Sequence, residues 1–212
     1  MDASAPEDPA LVQLLQPYAE KVAALEAPIG SAEEELKKDQ PEGKLGNFVA
    51  DLLLAESKRL FGEPADVSFA NNGGLRVPIA RGEISRRTIF ELMPFENQTV
   101  MIELSGTELR GLAEQIVNTG GQPIAGMELE MTRDRKLSGI RIRGESLDPE
   151  KRYRVVTSDY LAQGNGGFLK ENRMDRARNS GVLVRDVIID HIHARNSAPI
   201  RSVLDGRIKI LN

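Results

Sequence analysis

The stretch SFANNGGLRVPI, Ser68 to Ile79, ends an apolar run in two asparagines and two glycines and then places an arginine just past them. Alternation of apolar residues predicts a strand over Asp66 to Ala70. Because a tight turn after a strand favours positive φ, we expect at least one of Gly73 and Gly74 in that conformation. The segment is either a plain β-turn with a solvated Arg76 or a ligand loop in which that arginine binds a phosphate or carboxylate.

Composition limits the classes of function. The 212 residues are 40% hydrophobic and 28% charged, with a net charge of −4. This is enough apolar material for a substantial core, and the acidic balance argues against nucleic-acid binding through a basic surface. We expect no membrane span, because no apolar run reaches the ~18–20 residues that one needs. The lack of cysteine excludes disulfides and thiolate catalysis.

The sequence contains two histidines, His191 and His193, inside one segment with helical periodicity. Residues i and i+2 of a helix point to different faces, so this pair cannot chelate one metal ion. We interpret both as ordinary residues near a helix C-terminus, where a partial positive charge suits the helix dipole. A hydrolytic metal centre built from several histidines and aspartates is therefore not expected in this chain.

Helical and strand patterns alternate irregularly along the chain. Residues 1–28 are interpreted as a polar leader with an N-terminal helix over 8–27 that Pro17 kinks or splits, and residues 29–212 as one domain. Helices are predicted over 45–61, ending at Gly62, over 85–93, over 106–119 with a capping box of Ser105 and Glu108, and over 181–194. Strands are predicted over 98–105, 127–134, 136–145, 153–158 and 206–211. Without strict βαβ order, an α+β fold is favoured.

Four motifs stand in order along this framework. They are LGNFVADLL at Leu45–Leu53, NNGGLR at Asn71–Arg76, MPFENQTV at Met93–Val100 and SDYLAQGNGGF at Ser158–Phe168. Together with a terminal DGRIKIL, they resemble the C-terminal domain of the 5′-nucleotidase / UDP-sugar hydrolase family, whose forms include N-G-G-G-I-R and P-F-x-N. The resemblance covers about Ile29 to Leu211 and implies a four-layer α/β/β/α sandwich.

The resemblance also implies a division of labour. In that family a separate N-terminal metallophosphatase domain holds two divalent metal ions and cleaves the phosphoester, while the C-terminal domain recognises the substrate. The expected ligand is a nucleotide or nucleotide sugar, with a metallophosphatase domain or protein as partner. We expect no cofactor in this chain, no metal-dependent phosphatase activity from it alone, and export to the periplasm or cell envelope.

Site residues follow from the matching motif positions. The resemblance places Phe95 and Tyr160 on either side of a nucleobase, where two stacked rings would lie roughly 7 Å apart. The resemblance also maps Asn71 and Arg76 onto the family positions that contact the base edge and the phosphate. Stacking on an aromatic face contributes ~1–3 kcal/mol per base. Taken alone, each aromatic is more often a core or rim residue. The loop positions are Gly73, Gly74, Gly164, Gly166 and Gly167.

Two departures from the family pattern weaken this assignment. Asp39 stands where nucleotide-binding members usually carry an arginine, and an acid there repels phosphate. Gly166 replaces the aspartate that holds ribose hydroxyls, and the neighbouring Asn165 offers only an uncharged acceptor. Three nearby lysines lack the bidentate geometry of arginine: Lys37, Lys38 and Lys44. Three hypotheses stay open: a substrate-recognition domain of a nucleotidase, a stand-alone module that has lost nucleotide recognition, and an enzyme that uses acidic residues of the domain itself.

Overall fold

The computed structural model describes residues 22–196 and 198–211. Most of the predicted leader and N-terminal helix, including the kink at Pro17, lies outside these residues. The end of that helix is described, and residues 22–26 are helical.

Five helices and eleven strands follow residue 26 in the described chain. The helices are α1 Lys44–Phe61, α2 Arg86–Leu92, α3 Gly106–Asn118, α4 Asp159–Ala162 and α5 Val184–Ala194. The strands are β1 Pro28–Ala32, β2 Val67–Phe69, β3 Gly82–Ser85, β4 Gln98–Ser105, β5 Ile124–Ala125, β6 Met127–Met131, β7 Leu137–Ile142, β8 Glu145–Ser146, β9 Arg152–Ser158, β10 Arg178–Leu183 and β11 Ile208–Ile210.

Local sequence signals set several boundaries of these elements. Helix α1 ends at Gly62, which has φ 81° and donates its backbone N–H to the carbonyl of Lys58. Helix α3 begins with the predicted capping box, in which the Ser105 hydroxyl accepts from the Glu108 N–H and the Glu108 carboxylate accepts from the Ser105 N–H. The predicted helix over 181–194 is wrong at its start, because residues 181–183 continue β10 beside β4.

The central sheet has five strands in the order β10-β4-β9-β2-β5. Strands β2 and β9 are parallel, whereas β4 pairs antiparallel with β9 from Thr99↔Ser158 to Ser105↔Arg152. A four-stranded sheet has the order β11-β6-β7-β8, and β1 pairs with β3. Mixed strand directions with interspersed helices confirm the α+β class.

The central sheet is buried on both faces. Along β4, Met101 belongs to a core that includes side chains of α1, α2 and α5. Val100, Ile102 and Leu104 belong to a second core shared with α3 and the four-stranded sheet. Burial on both faces explains the continuous apolar run Val100–Ile102 in β4. No helix in the described ranges is both long and apolar enough to cross a bilayer.

The C-terminal segment forms hydrogen bonds with three elements that lie far from it in sequence: β1, β6 and α1. Ile200 exchanges backbone hydrogen bonds with the end of β1, and β11 adds to β6 as a parallel strand. Arg207 is buried and bonds to both carboxylate oxygens of Asp51 on α1, to Asp205 and to the carbonyl of Ile124. Burial alone would lower the pKa of Arg207, but hydrogen bonds to the two aspartates raise it. The guanidinium therefore stays charged inside the fold.

Candidate functional site

Strand direction brings three loops to one edge of the central sheet. Because β2 and β9 are parallel, the residues that follow them emerge at the same edge, and antiparallel β4 begins there. The segment Asn71–Arg76 follows β2, α4 with Tyr160 follows β9, and residues 93–97 precede β4. An open cleft of about 310 Å³ lies between these three loops.

Seven residues line this cleft, and six of them are among those predicted. They are Asn71, Gly73, Gly74, Arg76, Phe95, Asn97 and Tyr160. Phe95 is 39% exposed and Tyr160 is 41% exposed, so neither ring is a core residue. The arrangement therefore offers two accessible aromatic rings beside amide groups and one guanidinium. The distance between the two rings stays a prediction.

The prediction of positive φ at Gly73 or Gly74 is wrong. Residues Asn72–Gly74 form a single 3-10 turn, closed by a hydrogen bond of 3.0 Å from the Gly74 N–H to the Asn71 carbonyl, and neither glycine has positive φ. The small space around the two positions explains why they are glycines. A Cβ at Gly74 would lie 3.0 Å from Asn71 Oδ1, and one at Gly73 would lie 3.2 Å from Asn71 Nδ2. The two glycines make room for the Asn71 carboxamide.

Arg76 supplies the positive charge of the cleft. Its side chain is exposed, and one Nη donates to the Gly73 carbonyl at 3.3 Å, which holds the guanidinium against the glycine turn. Its backbone N–H donates to the carbonyl of Leu92 at 2.8 Å. That bond connects the glycine turn to the end of α2, one residue before the segment that carries Phe95.

Of the three lysines considered as substitutes for the missing arginine, Lys38 reaches the cleft loop. Its Nζ donates to the Asn72 carbonyl at 3.2 Å. Lys44 is instead paired with Glu34. The Asp39 carboxylate is exposed and accepts from the N–H of Gln40 at 2.8 Å. The Lys38 ammonium therefore lies beside the glycine turn, and Asp39 is the next residue along the chain.

The N-terminus of α5 supports the loop that carries Phe95. The Val184 N–H donates to the Asn97 carbonyl at 2.9 Å, and Arg185 Nη1 donates to the Phe95 carbonyl at 3.3 Å. The Arg185 side chain is only 12% exposed, and its guanidinium carbon lies 4.6 Å from the ring centroid of Phe90. The sequence analysis missed Asn97 and Arg185. The asparagine of the P-F-x-N motif was a signal for the first, but Arg185 is distant in sequence from every motif.

The second glycine-rich loop does not line the cleft. Gly164, Gly166 and Gly167 have φ values of 87°, 77° and 75°, and Asn165 is exposed with its Nδ2 3.2 Å from Gln163 Oε1. A Cβ at Gly166 would lie 3.2 Å from the ring of Phe168. Asn165 is not among the residues that line the cleft, and its ribose contact stays a prediction.

The two histidines lie in the last turn of α5, as the sequence indicates. His191 Nδ1 is 3.4 Å from Glu56 Oε1, and its ring meets the edge of Phe48 at a centroid distance of 6.2 Å. His193 borders a separate open groove beside β1. Among the residues that the structure describes, no three His, Asp or Glu side chains are grouped closely enough to hold a metal ion.

Known proteins are similar to this chain in sequence and in fold. A family model described as the C-terminal domain of 5′-nucleotidase matches residues 21–171. Protein UshA of Escherichia coli K12 is 28% identical over 200 residues, which cover 92% of this chain and 36% of UshA. An apyrase of Tabanus yao is 30% identical over 192 residues, covering 79% of this chain and 34% of the apyrase.

A solved structure extends the similarity to the whole chain. The crystal structure of a 5′-nucleotidase precursor from Thermus thermophilus superposes with a TM-score of 0.79 at 27% identity, covering 98% of this chain and 44% of the precursor. The chain spans about a third of the length of its sequence relatives, and the match confirms both the predicted resemblance and its α+β sandwich. This chain belongs to the family of 5′-nucleotidase C-terminal domains.

Proposed function

We propose that the cleft binds the nucleobase and phosphate of a nucleotide or nucleotide sugar, so that the domain supplies substrate recognition to a 5′-nucleotidase-type hydrolase. The observation that carries the proposal is the meeting of Phe95 and Tyr160, both about 40% exposed, in one cleft with Asn71, Asn97 and Arg76. Catalysis and its divalent metals belong, in this proposal, to a metallophosphatase domain outside these 212 residues.

Each group in the cleft suits one part of such a ligand. Aromatic faces bind any base by stacking, which contributes ~1–3 kcal/mol per base. The carboxamides of Asn71 and Asn97 offer both donors and acceptors to the edge of a base. Arg76 offers a planar fork that matches two phosphate oxygens. The cleft is open rather than enclosed, which fits a ligand whose far end must reach another domain.

In this proposal the opposite charges of Lys38 and Asp39 make the base the main determinant of affinity. Lys38 adds one positive charge beside the glycine turn, but Asp39 adds a negative one on the next residue. A carboxylate in this position opposes a phosphate, and a lysine replaces only part of the bidentate contact of arginine. We therefore propose that nucleosides and nucleotides bind with similar affinity, and that the domain acts in an exported protein of the periplasm or cell envelope.

Calorimetric titration with adenosine, uridine, AMP and a UDP-sugar tests this function. Saturable binding is expected, with a dissociation constant in the micromolar range, about −8 kcal/mol at 1 μM. Phe95→Ala and Tyr160→Ala should each weaken binding, while Leu204→Ala, at an exposed apolar residue outside the cleft lining, serves as the control. A result in which no nucleoside or nucleotide binds at millimolar concentration would overturn the proposal.

A second candidate function is a stand-alone binding module that no longer recognises nucleotides. Two observations favour it: Asp39 replaces the arginine of the family pattern, and Asn165 is not among the residues that line the cleft. A purified chain that binds none of the four ligands would support this module. Metal-dependent hydrolysis of AMP by the purified chain, lost on chelation, would contradict both candidates.

A further inference from the structure

A second pocket lies on the central sheet, away from the cleft. Its volume is about 120 Å³, and Met101, Ile102 and Glu103 of β4 contribute to its lining. Five arginines from β9, β10 and the segment between α4 and β10 surround it, and we call it the arginine pocket. They are Arg152, Arg154, Arg173, Arg176 and Arg178.

The arginine pocket and the cleft share no lining residue. Asn97, at the start of β4, belongs to the cleft, and Glu103, six residues further, belongs to the arginine pocket. A strand rises ~3.3 Å per residue, so the two sites are roughly 20 Å apart along β4. A ligand of the arginine pocket therefore does not overlap a base bound between Phe95 and Tyr160.

Positive charge exceeds negative charge in the lining of the arginine pocket. Five arginines and two glutamates, Glu63 and Glu103, line it, and Arg154 also pairs with Asp66 outside the lining. Arg154 Nη1 donates to Glu63 at 2.7 Å, and Arg178 donates to the other oxygen of the same carboxylate. These contacts, the hydrogen bond from Arg154 first, lower the pKa of Glu63. Glu63 is thus already occupied by two arginines and is a poor competitor for the others.

Several donors of the arginine pocket lack acceptors. Arg173 is 18% exposed and bonds through Nη2 to Glu108 and Glu171, but within the described chain its buried Nε–H meets no acceptor. Arg152 makes no ion pair in that part of the chain, and Arg176 has only Asp175, at 3.7 Å, with both side chains largely exposed. A buried N–H without an acceptor is unfavourable, and an added oxygen ligand would satisfy it.

We propose that the arginine pocket binds a phosphate group, either as inorganic phosphate or as the phosphate of a small phosphorylated molecule whose remainder points to solvent. Planar guanidinium forks match the oxygens of a tetrahedral dianion better than any other common side chain does. Pockets for whole drug-sized ligands occupy ~300–1,000 Å³, so a site of 120 Å³ suits a phosphate group and excludes a nucleoside. The proposal does not rest on nucleotide binding in the cleft.

Titration of the intact chain with inorganic phosphate, at constant ionic strength, tests the proposal. The arginine Nε–H signals in ¹H–¹⁵N spectra report on each guanidinium, and the Arg173 signal should shift saturably with a dissociation constant at or below about 1 mM. A parallel titration with glycerol phosphate distinguishes the two sources. Equal affinity indicates recognition of the phosphate alone, and tighter binding of glycerol phosphate indicates a phosphorylated molecule.

Paired variants control for general charge effects. Arg152→Gln with Arg176→Gln removes two exposed guanidinium groups and should weaken phosphate binding at least tenfold. Arg81→Gln with Arg110→Gln removes the same charge from other exposed positions and should leave binding unchanged. Equal weakening by both pairs, or loss of phosphate binding in Arg76→Ala, would overturn the proposal, as would the absence of any saturable shift.

Discussion

Two glycine-rich loops, Asn71–Arg76 and Gly164–Gly167, look alike in the sequence and differ in the structure. In the first loop, both glycines belong to a 3-10 turn with negative φ. A side chain at either position would crowd the Asn71 carboxamide. In the second, all three glycines have positive φ and the loop folds against the ring of Phe168, outside the cleft. Glycine serves side-chain packing in one loop and backbone conformation in the other. A glycine pattern alone therefore does not identify a ligand loop.

The aromatic residues beside the first loop should give the largest effects on binding. Phe95→Ala and Tyr160→Ala each remove one stacking face, and we expect a loss of ~1–3 kcal/mol in nucleoside binding, up to about a hundredfold in affinity. Calorimetry with adenosine measures it. The free energy of unfolding should change little, because both rings are exposed; an unchanged affinity in both variants would remove the cleft as a base site.

Matched substitutions of one glycine in each loop separate the two roles directly. Gly166→Ala places a side chain at φ 77° and against Phe168, so we expect a loss of ~1–2 kcal/mol in the free energy of unfolding and no change in nucleoside affinity. Gly74→Ala should displace the Asn71 carboxamide and weaken nucleoside binding about tenfold, with a smaller loss of stability. Urea denaturation and calorimetry on both variants test the contrast. The reverse pattern would contradict the assignment of the two loops.

Arg185 tests whether the cleft depends on support from α5. Arg185→Met keeps much of the apolar stem but removes the hydrogen bond to the Phe95 carbonyl and the contact with Phe90. We expect a loss of ~0.5–1.5 kcal/mol in nucleoside binding. Arg185→Lys, which preserves the charge without the planar fork, should recover only part of it. If both variants bind as the wild type does, Arg185 has no positioning role.

The smallest expected effect comes from Asp39, the residue after Lys38, whose side chain contacts the first loop. Asp39→Arg removes a negative charge and adds a bidentate donor two residues after Lys37 and next to Lys38, so AMP should bind several-fold more tightly while adenosine binding is unchanged. Arg76→Ala is the complementary variant and should weaken AMP binding more than adenosine binding. Titrations at two salt concentrations measure both, because a phosphate contact weakens with added salt.

Local signals made much of the fold predictable. The left-handed glycine after α1 and the Ser105–Glu108 capping box depend on residues within one turn, and both boundaries are confirmed. The start of α5 was not predictable from periodicity, because the short segment 181–183 is compatible with both a helix and a strand. Pairing with β4, eighty residues earlier in the chain, decides between them.

The site was predictable where a motif position marked it. Asn71, Arg76, Phe95 and Tyr160 come from motif matches, and the structure brings them to one cleft. Contacts made across the fold were not predictable: the support of Phe95 by Arg185 spans ninety residues, and the contact of Lys38 with Asn72 spans thirty-four. No local pattern distinguishes Lys38, which contacts the first loop, from Lys44, which forms an ion pair with Glu34.

The contacts of the C-terminal segment have a consequence for the order in which the protein forms. Ile200 closes onto β1, Arg207 bonds to Asp51 from 156 residues away, and β11 adds to β6. Contacts of such long sequence separation slow folding, because the loop-closure entropy is lost before they form. While the chain is still on the ribosome, β1 and α1 lack partners that have yet to be translated. Folding of this domain is therefore completed only after residue 210 has been synthesised.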